Sequence, residues 1–283
     1  MNKTAIKNFA IWARKKLIAD ISFQAGLAGV TETGIANELP QSSGTVKFYD
    51  IGTKDPVSIS GEKIRMRQRL VEAIREKEQD VGYQEAFRFV VEKVAYTWFN
   101  RLIAIRFMEV NDYLPGRTRV LSSENPLKAE PDLVTNPFDA DLSFTVLEKT
   151  NILRMKDENR LDELFRFLFI RQCHELHKSL PMLFDEEQGI DRKDSYLDLL
   201  LTISFTDKDG VLWRLVHDIP EDDFNVEKEG QVEIIGWMYQ YYNTELNASV
   251  YDGSFSKEKI SKELLPAATT IYTPDWAIRY MVQ

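Results

Sequence analysis

The stretch YQEAFRFVVEKVAYTWFNRLIAIRFMEVNDYLPG, residues 83–116, constrains the fold more than any other part of this chain. Phe87, Val91, Val94, Trp98, Leu102 and Ile105 recur at three- and four-residue spacing and trace one helical face, which Val90, Ala95, Phe99 and Ile103 widen. A helix apolar over so much of its circumference has to be enclosed by other elements, so it is expected at the centre of the molecule. Asn111, Pro115 and Gly116 end it.

The rest of the pattern supplies helices to enclose it. From about Lys3 to Leu27, Ile6, Phe9, Ala10, Ala13, Leu17 and Ile21 form one amphipathic stripe. The Gly-, Ser-, Thr- and Pro-containing stretch that follows reads as loop or short strand, with an extended piece at TVKFYDI. GEKIRMRQRLVEAIREKEQDVG reads as a surface helix ending at Gly82. Residues 117–150 hold three prolines and no sustained helical period, which predicts irregular structure with short strands. Helical signals return in ENRLDELFRFLFIRQCHELHKSL, SYLDLLLTIS, GVLWRLVHDI, QVEIIGWMYQYYNTEL and KEKISKELL. The predicted fold class is mostly α.

No run of about 18 apolar residues occurs, and charges and amides interrupt the N-terminus too often for a signal-peptide core, so a cytoplasmic protein away from membranes is expected. The single cysteine, Cys173, excludes an internal disulfide framework. Net charge is −9, unevenly spread: residues 1–108 carry 17 Lys and Arg against 12 Asp and Glu, and residues 109–283 carry 19 against 33. That asymmetry lets the basic part approach a polyanion while excluding a general nucleic-acid coat.

Motifs for chemistry within the chain are weak. Cys173, His174 and His177 sit within one helical turn, but zinc needs more ligands than the single remaining histidine, His217, provides, and no metal is assigned. EPDLV offers half of a nuclease metal signature; the acidic residue two before a lysine is missing nearby, and in IDRKD it falls in a polar loop. Asn136-Pro137-Phe138 lacks the second proline of a base-gripping motif and reads as a turn. No Gly-rich phosphate loop and no nucleophile elbow occur.

The closing segment TIYTPDWAIRYMVQ starts a helix, with Thr273 as cap and Pro274 in the first turn, and stops before a partner for its apolar side chains has appeared. Together with AYTWFNRLIAIRFMEVNDYLP and EIIGWMYQYYNTE, and with the opening MNKTAIKNFAIWARKKLI, the segment LLPAATTIYTPDWAIRYMV resembles the N-terminal region of adenine-specific DNA methyltransferases of the bacteriophage-exclusion (BREX) type, the PglX family. That resemblance implies a helical N-terminal domain over residues 1–265, with a sub-boundary in 117–150, and the first helix of an α/β methyltransferase domain over 266–283. It further implies S-adenosylmethionine as cofactor, with Tyr272, Thr273 and Pro274 beside it, double-stranded DNA as partner, and catalytic residues beyond Gln283. Family members commonly show glutamine and phenylalanine where this chain has Thr270 and Tyr272.

For DNA contact, the basic candidates are Arg14, Lys15 and Lys16 on the first helix and Lys63, Arg65, Arg67 and Arg69 on the second. The alternating spacing of KIRMRQR scatters the latter four around a helix, and a solvated face is the rival reading. The aromatics of GWMYQYY offer rings for base stacking, but at helical spacing they suit a core. The rival function is a helical adaptor without catalysis, docking other phage-defence proteins through the acidic part.

Overall fold

The computed structural model describes residues 2–184, 195–228 and 232–251, together with 269, 280 and 281. Helix α3 (Tyr83–Val110) is the axis. Around it pack α1 (Lys3–Leu27), α2 (Glu62–Val81), α7 (Pro181–Phe184), α10 (Glu221–Phe224) and α11 (Glu233–Tyr242). Helix α6 (Leu161–Leu176) gathers α4 (Asp132–Thr135), α5 (Val146–Asp157) and α7, while α8 (Tyr196–Leu199) lies on α2 and α9 (Val211–His217) on α1. Helix α12 (Thr244–Tyr251) follows α11. The fold is mostly α, as the periodicity predicts.

One apolar cluster runs from Ile6 on α1 to Tyr242 on α11, with Trp98, Phe99, Leu102, Ile103 and Ile105 of α3 at most 1% exposed. The rings of GWMYQYY divide accordingly. Tyr242 is buried with its ring 4.5 Å from that of Phe99, and Trp237 lies under the Lys3 ammonium at 4.0 Å.

Two small antiparallel hairpins lie between α1 and α2: β1 (Val30–Thr31) with β2 (Gly34–Ile35), and β3 (Val46–Tyr49) with β4 (Val57–Ser60). The predicted extended piece at TVKFYDI is β3. Gly29 sits at φ +70°, where a Cβ would come within 3.0 Å of the Ala36 side chain, so the turn out of α1 needs glycine.

Residues 117–150 depart from expectation. No strand occurs there among the described residues; instead α4 forms, and α5 starts at Val146. The start is fixed by a capping box: Glu148 N–H donates to Thr145 Oγ1 at 3.3 Å, and Thr145 N–H donates to Glu148 Oε2 at 2.7 Å. Thr-Val-Leu-Glu was therefore the legible signal. Conversely, SYLDLLLTIS forms only the single turn of α8, capped by Ser195.

This irregular stretch is nonetheless tied to the core. Glu109, its side chain 0% exposed, accepts from Val120 N–H at 2.8 Å, Leu121 N–H at 2.7 Å, Ser122 Oγ at 3.0 Å and Arg106 Nη1 at 2.7 Å. Buried backbone donors need acceptors, and one α3 carboxylate provides for two of them, which lets Val120 and Leu121 enter the core.

Candidate nucleic-acid interface

The seven basic residues named from sequence divide into two groups, one on α1 and one on α2. On α1, Arg14 is largely buried and donates from Nε and Nη2 to the Glu92 carboxylate of α3, both at 2.8 Å. That bidentate pair consumes its fork, and Glu245 of α12 stands 3.6 Å away on the other side. Lys15 meets the same Glu245 at 2.6 Å, and Lys16 pairs with Asp20 one turn on at 2.6 Å. Lys15 is 62% exposed, so its pairing is the kind that water and salt weaken readily.

On α2 the helical period decides. Arg65 and Arg69 are exposed, and Arg69 pairs with Glu72 at 3.0 Å. Lys63 is exposed in the first turn. Arg67 turns inward. It donates from Nε to the Ala28 carbonyl at 2.6 Å and from Nη2 to the Ala36 carbonyl at 3.0 Å, with its guanidinium 3.6 Å from the centre of the Tyr49 ring. Burial lowers its pKa from the ordinary arginine value. The sequence carried the signal, because Arg67 stands three and seven residues before Leu70 and Ile74, the buried stripe of α2. Its chemistry is to close the loop after α1 onto α2. Arg67→Ala should therefore destabilise the chain by about 2–3 kcal/mol by leaving two carbonyls without donors. Arg69→Ala should stay within about 0.5 kcal/mol. Urea unfolding of the two variants checks this, and equal losses would refute it.

The remaining sequence motifs fall in ordinary structural roles. Asn136 caps α4 and opens a turn through Phe138, with Asp139 N–H donating to the Asn136 carbonyl at 3.1 Å. Asp132 of EPDLV accepts from Ser123 Oγ at 2.6 Å and Glu124 N–H at 2.8 Å. Cys173 is buried on α6, and His174 Nε2 lies 3.5 Å from Asp198. IDRKD and KEKISKELL lie outside the described residues.

Along its whole length the chain is 42% identical to the adenine-specific methyltransferase PglX of Lacticaseibacillus casei (strain Zhang), of which the match covers 23%. It is also 39% identical, over 77% of its length, to the adenine-specific methyltransferase BrxX of Escherichia coli O9:H4 (strain HS), covering 16% of that protein. The chain belongs with the N-terminal region of the PglX family. It thus spans less than a quarter of the length of either relative. No family model matches it.

Within this PglX-family chain, AYTWFNRLIAIRFMEVNDYLP covers the later part of α3 and the turn after it, and EIIGWMYQYYNTE covers α11 and the start of α12. Tyr272, Thr273 and Pro274 lie outside the described residues. Nearby, Tyr280 and Met281 are helical and exposed, at 81% and 71%, so Met281 does not enter the core formed by the preceding helices. No helix among the described residues is long and apolar enough to cross a membrane.

Sequence reasoning missed the polar cluster in which the buried Arg106 and Glu109 meet the part-exposed Arg119 and Glu221. Charged residues three apart in the apolar last turns of α3, Arg106 and Glu109, were its visible sign. The contribution of Glu221, more than a hundred residues away, had none.

Proposed function

We propose that this chain is the N-terminal region of a site-specific adenine DNA methyltransferase acting in phage defence. In the whole protein, S-adenosylmethionine would supply the methyl group and the adenine amino group would receive it. The 42% identity over the entire chain to an adenine-specific methyltransferase carries this reading. In it, the helical body holds duplex DNA or partner proteins, and residues 266–283 lead into the cofactor-holding domain, with Tyr272, Thr273 and Pro274 beside S-adenosylmethionine. Reading the coding sequence past Gln283 tests it: a short strand with a Gly-containing turn and, further on, Asn-Pro-Pro-aromatic are expected, and an immediate stop codon would oppose it.

For DNA, the contacts proposed are basic residues of α1 and α2: Lys15, Lys16, Lys63, Arg65 and Arg69. A duplex phosphate competes with Glu245 for Lys15, whose pair is solvent-exposed, and with Asp20 for the half-buried Lys16. Weak, salt-sensitive duplex binding by the chain is expected, falling about tenfold or more when Lys15, Lys16, Arg65 and Arg69 are neutralised together. Fluorescence anisotropy across a salt series measures it; an unchanged affinity and salt slope would remove these helices from the DNA path.

One observation also favours the adaptor reading. Val146 and Leu147 at the start of α5 are 84% and 70% exposed, Leu153 is 51% exposed, and Phe138 beside them is 46% exposed, an apolar surface suited to protein contact. The two roles are compatible in one region.

A further inference from the structure

Between α9, α10 and the segment 119–129 lies an open cleft of about 380 Å3, within the range of small-ligand sites. Its lining offers two kinds of chemistry. Arg119 grips Glu221 with both arms, Nη1 to Oε2 at 2.6 Å and Nη2 to Oε1 at 3.0 Å, and Arg106 Nη2 reaches the same carboxylate at 3.2 Å. Trp213 and His217, also in the lining, are stacked face to face, ring centres 3.9 Å apart at 9°, with the Lys208 ammonium 5.8 Å from the Trp213 ring centre.

Each part is held differently, which separates a ligand site from a mere staple. Arg106 is fixed from behind by Glu109 and by Ser122 Oγ at 2.9 Å, and its buried Nε has no acceptor among the described residues. His217 Nδ1 donates to the Trp213 carbonyl at 2.8 Å, which sets the ring against the indole; its Nε2 makes no hydrogen bond among the described residues. Glu221 reaches solvent, 41% exposed on a four-residue helix. The arginines hold its carboxyl below the usual carboxylate range, Arg119 foremost. A carboxylate bound bidentately between two guanidiniums stands where a phosphate group would sit, and it can swing to solvent while Arg106 stays in place.

We propose that this cleft is a nucleotide site: a phosphate displaces the Glu221 carboxylate from Arg119 and Arg106, and the base stacks on the outer face of the Trp213–His217 pair. The shared chemistry is that of a nucleoside phosphate, free or at the end of a strand. The cleft does not involve the basic residues of α1 and α2, so the outcome is independent of the DNA contacts proposed for them.

Calorimetric titration of the chain with AMP tests this, with adenosine, inorganic phosphate and a 5′-phosphorylated single-stranded oligonucleotide as parallel probes. AMP should bind saturably and more tightly than adenosine. Glu221→Gln removes the competing charge and should tighten AMP by about tenfold. His217→Ala, at an exposed position that leaves the arginines untouched, should weaken AMP severalfold and leave inorganic phosphate unchanged. An oligonucleotide binding at least as tightly as AMP, and lost on removing its 5′ phosphate, would place the strand end as the ligand; a weaker one would place the free nucleotide. The proposal fails if neither the native chain nor Glu221→Gln binds AMP saturably up to about 10 mM, a free energy near −3 kcal/mol. It fails equally if His217→Ala leaves AMP affinity unaltered.

Discussion

Replacing Glu109 by alanine should cost about 3–5 kcal/mol of stability, the range for breaking a buried ion pair by removing one partner. The side chain is fully buried and accepts four hydrogen bonds, from Val120 N–H, Leu121 N–H, Ser122 Oγ and Arg106. Without it, Arg106 keeps a buried charge with Glu221 as its remaining carboxylate partner among the described residues, and two backbone donors inside the core lose their acceptor. Glu109→Gln recovers only part of the loss. Its amide oxygen can accept, but its amide nitrogen is a donor set among donors. Urea denaturation measures this through the midpoint at constant slope. A loss of under about 1 kcal/mol in the alanine variant would show that residues 120–122 are held by packing and not by this carboxylate.

Trp98→Ala should be comparably severe, again about 3–5 kcal/mol, because a large ring is removed from a position 1% exposed. Trp98 does two things: its ring packs near Phe169, centroids 5.9 Å apart, and its Nε1–H donates to the Leu197 carbonyl at 3.1 Å. Trp98→Phe keeps most of the packing and loses the donor, so it should cost only about 1–3 kcal/mol. The ratio of the two variants, measured by thermal or urea unfolding, separates cavity from hydrogen bond. Equal losses would assign the whole effect to the bond between α3 and α8.

Trp98 was legible from periodicity, since it stands on the apolar face with Phe87, Val91, Val94, Leu102 and Ile105. The role of Glu109 was not. Its partners at 120–122 follow a turn with no periodic signal, and local sequence says nothing about which buried amide will face which carboxylate. The same contrast runs through the basic residues. Arg67 shares a stripe with Leu70 and Ile74, so its inward turn could be read from spacing. Arg14 could not be read in this way, because the carboxylate that holds it, Glu92, is on α3 and comes close only after α1 has docked.

What sequence alone determined here is everything that depends on neighbours within one or two turns. It placed the long helices α1, α2 and α3, the stop at Gly82, the extended piece at Val46–Tyr49, and through several quoted segments the PglX family itself. Only tertiary structure decided which charges remain available to a ligand. A side chain's partner depends on what folding brings within a few ångströms of it. Glu245 therefore meets Lys15, and Glu221 meets Arg119 and Arg106, across separations for which no spacing rule exists.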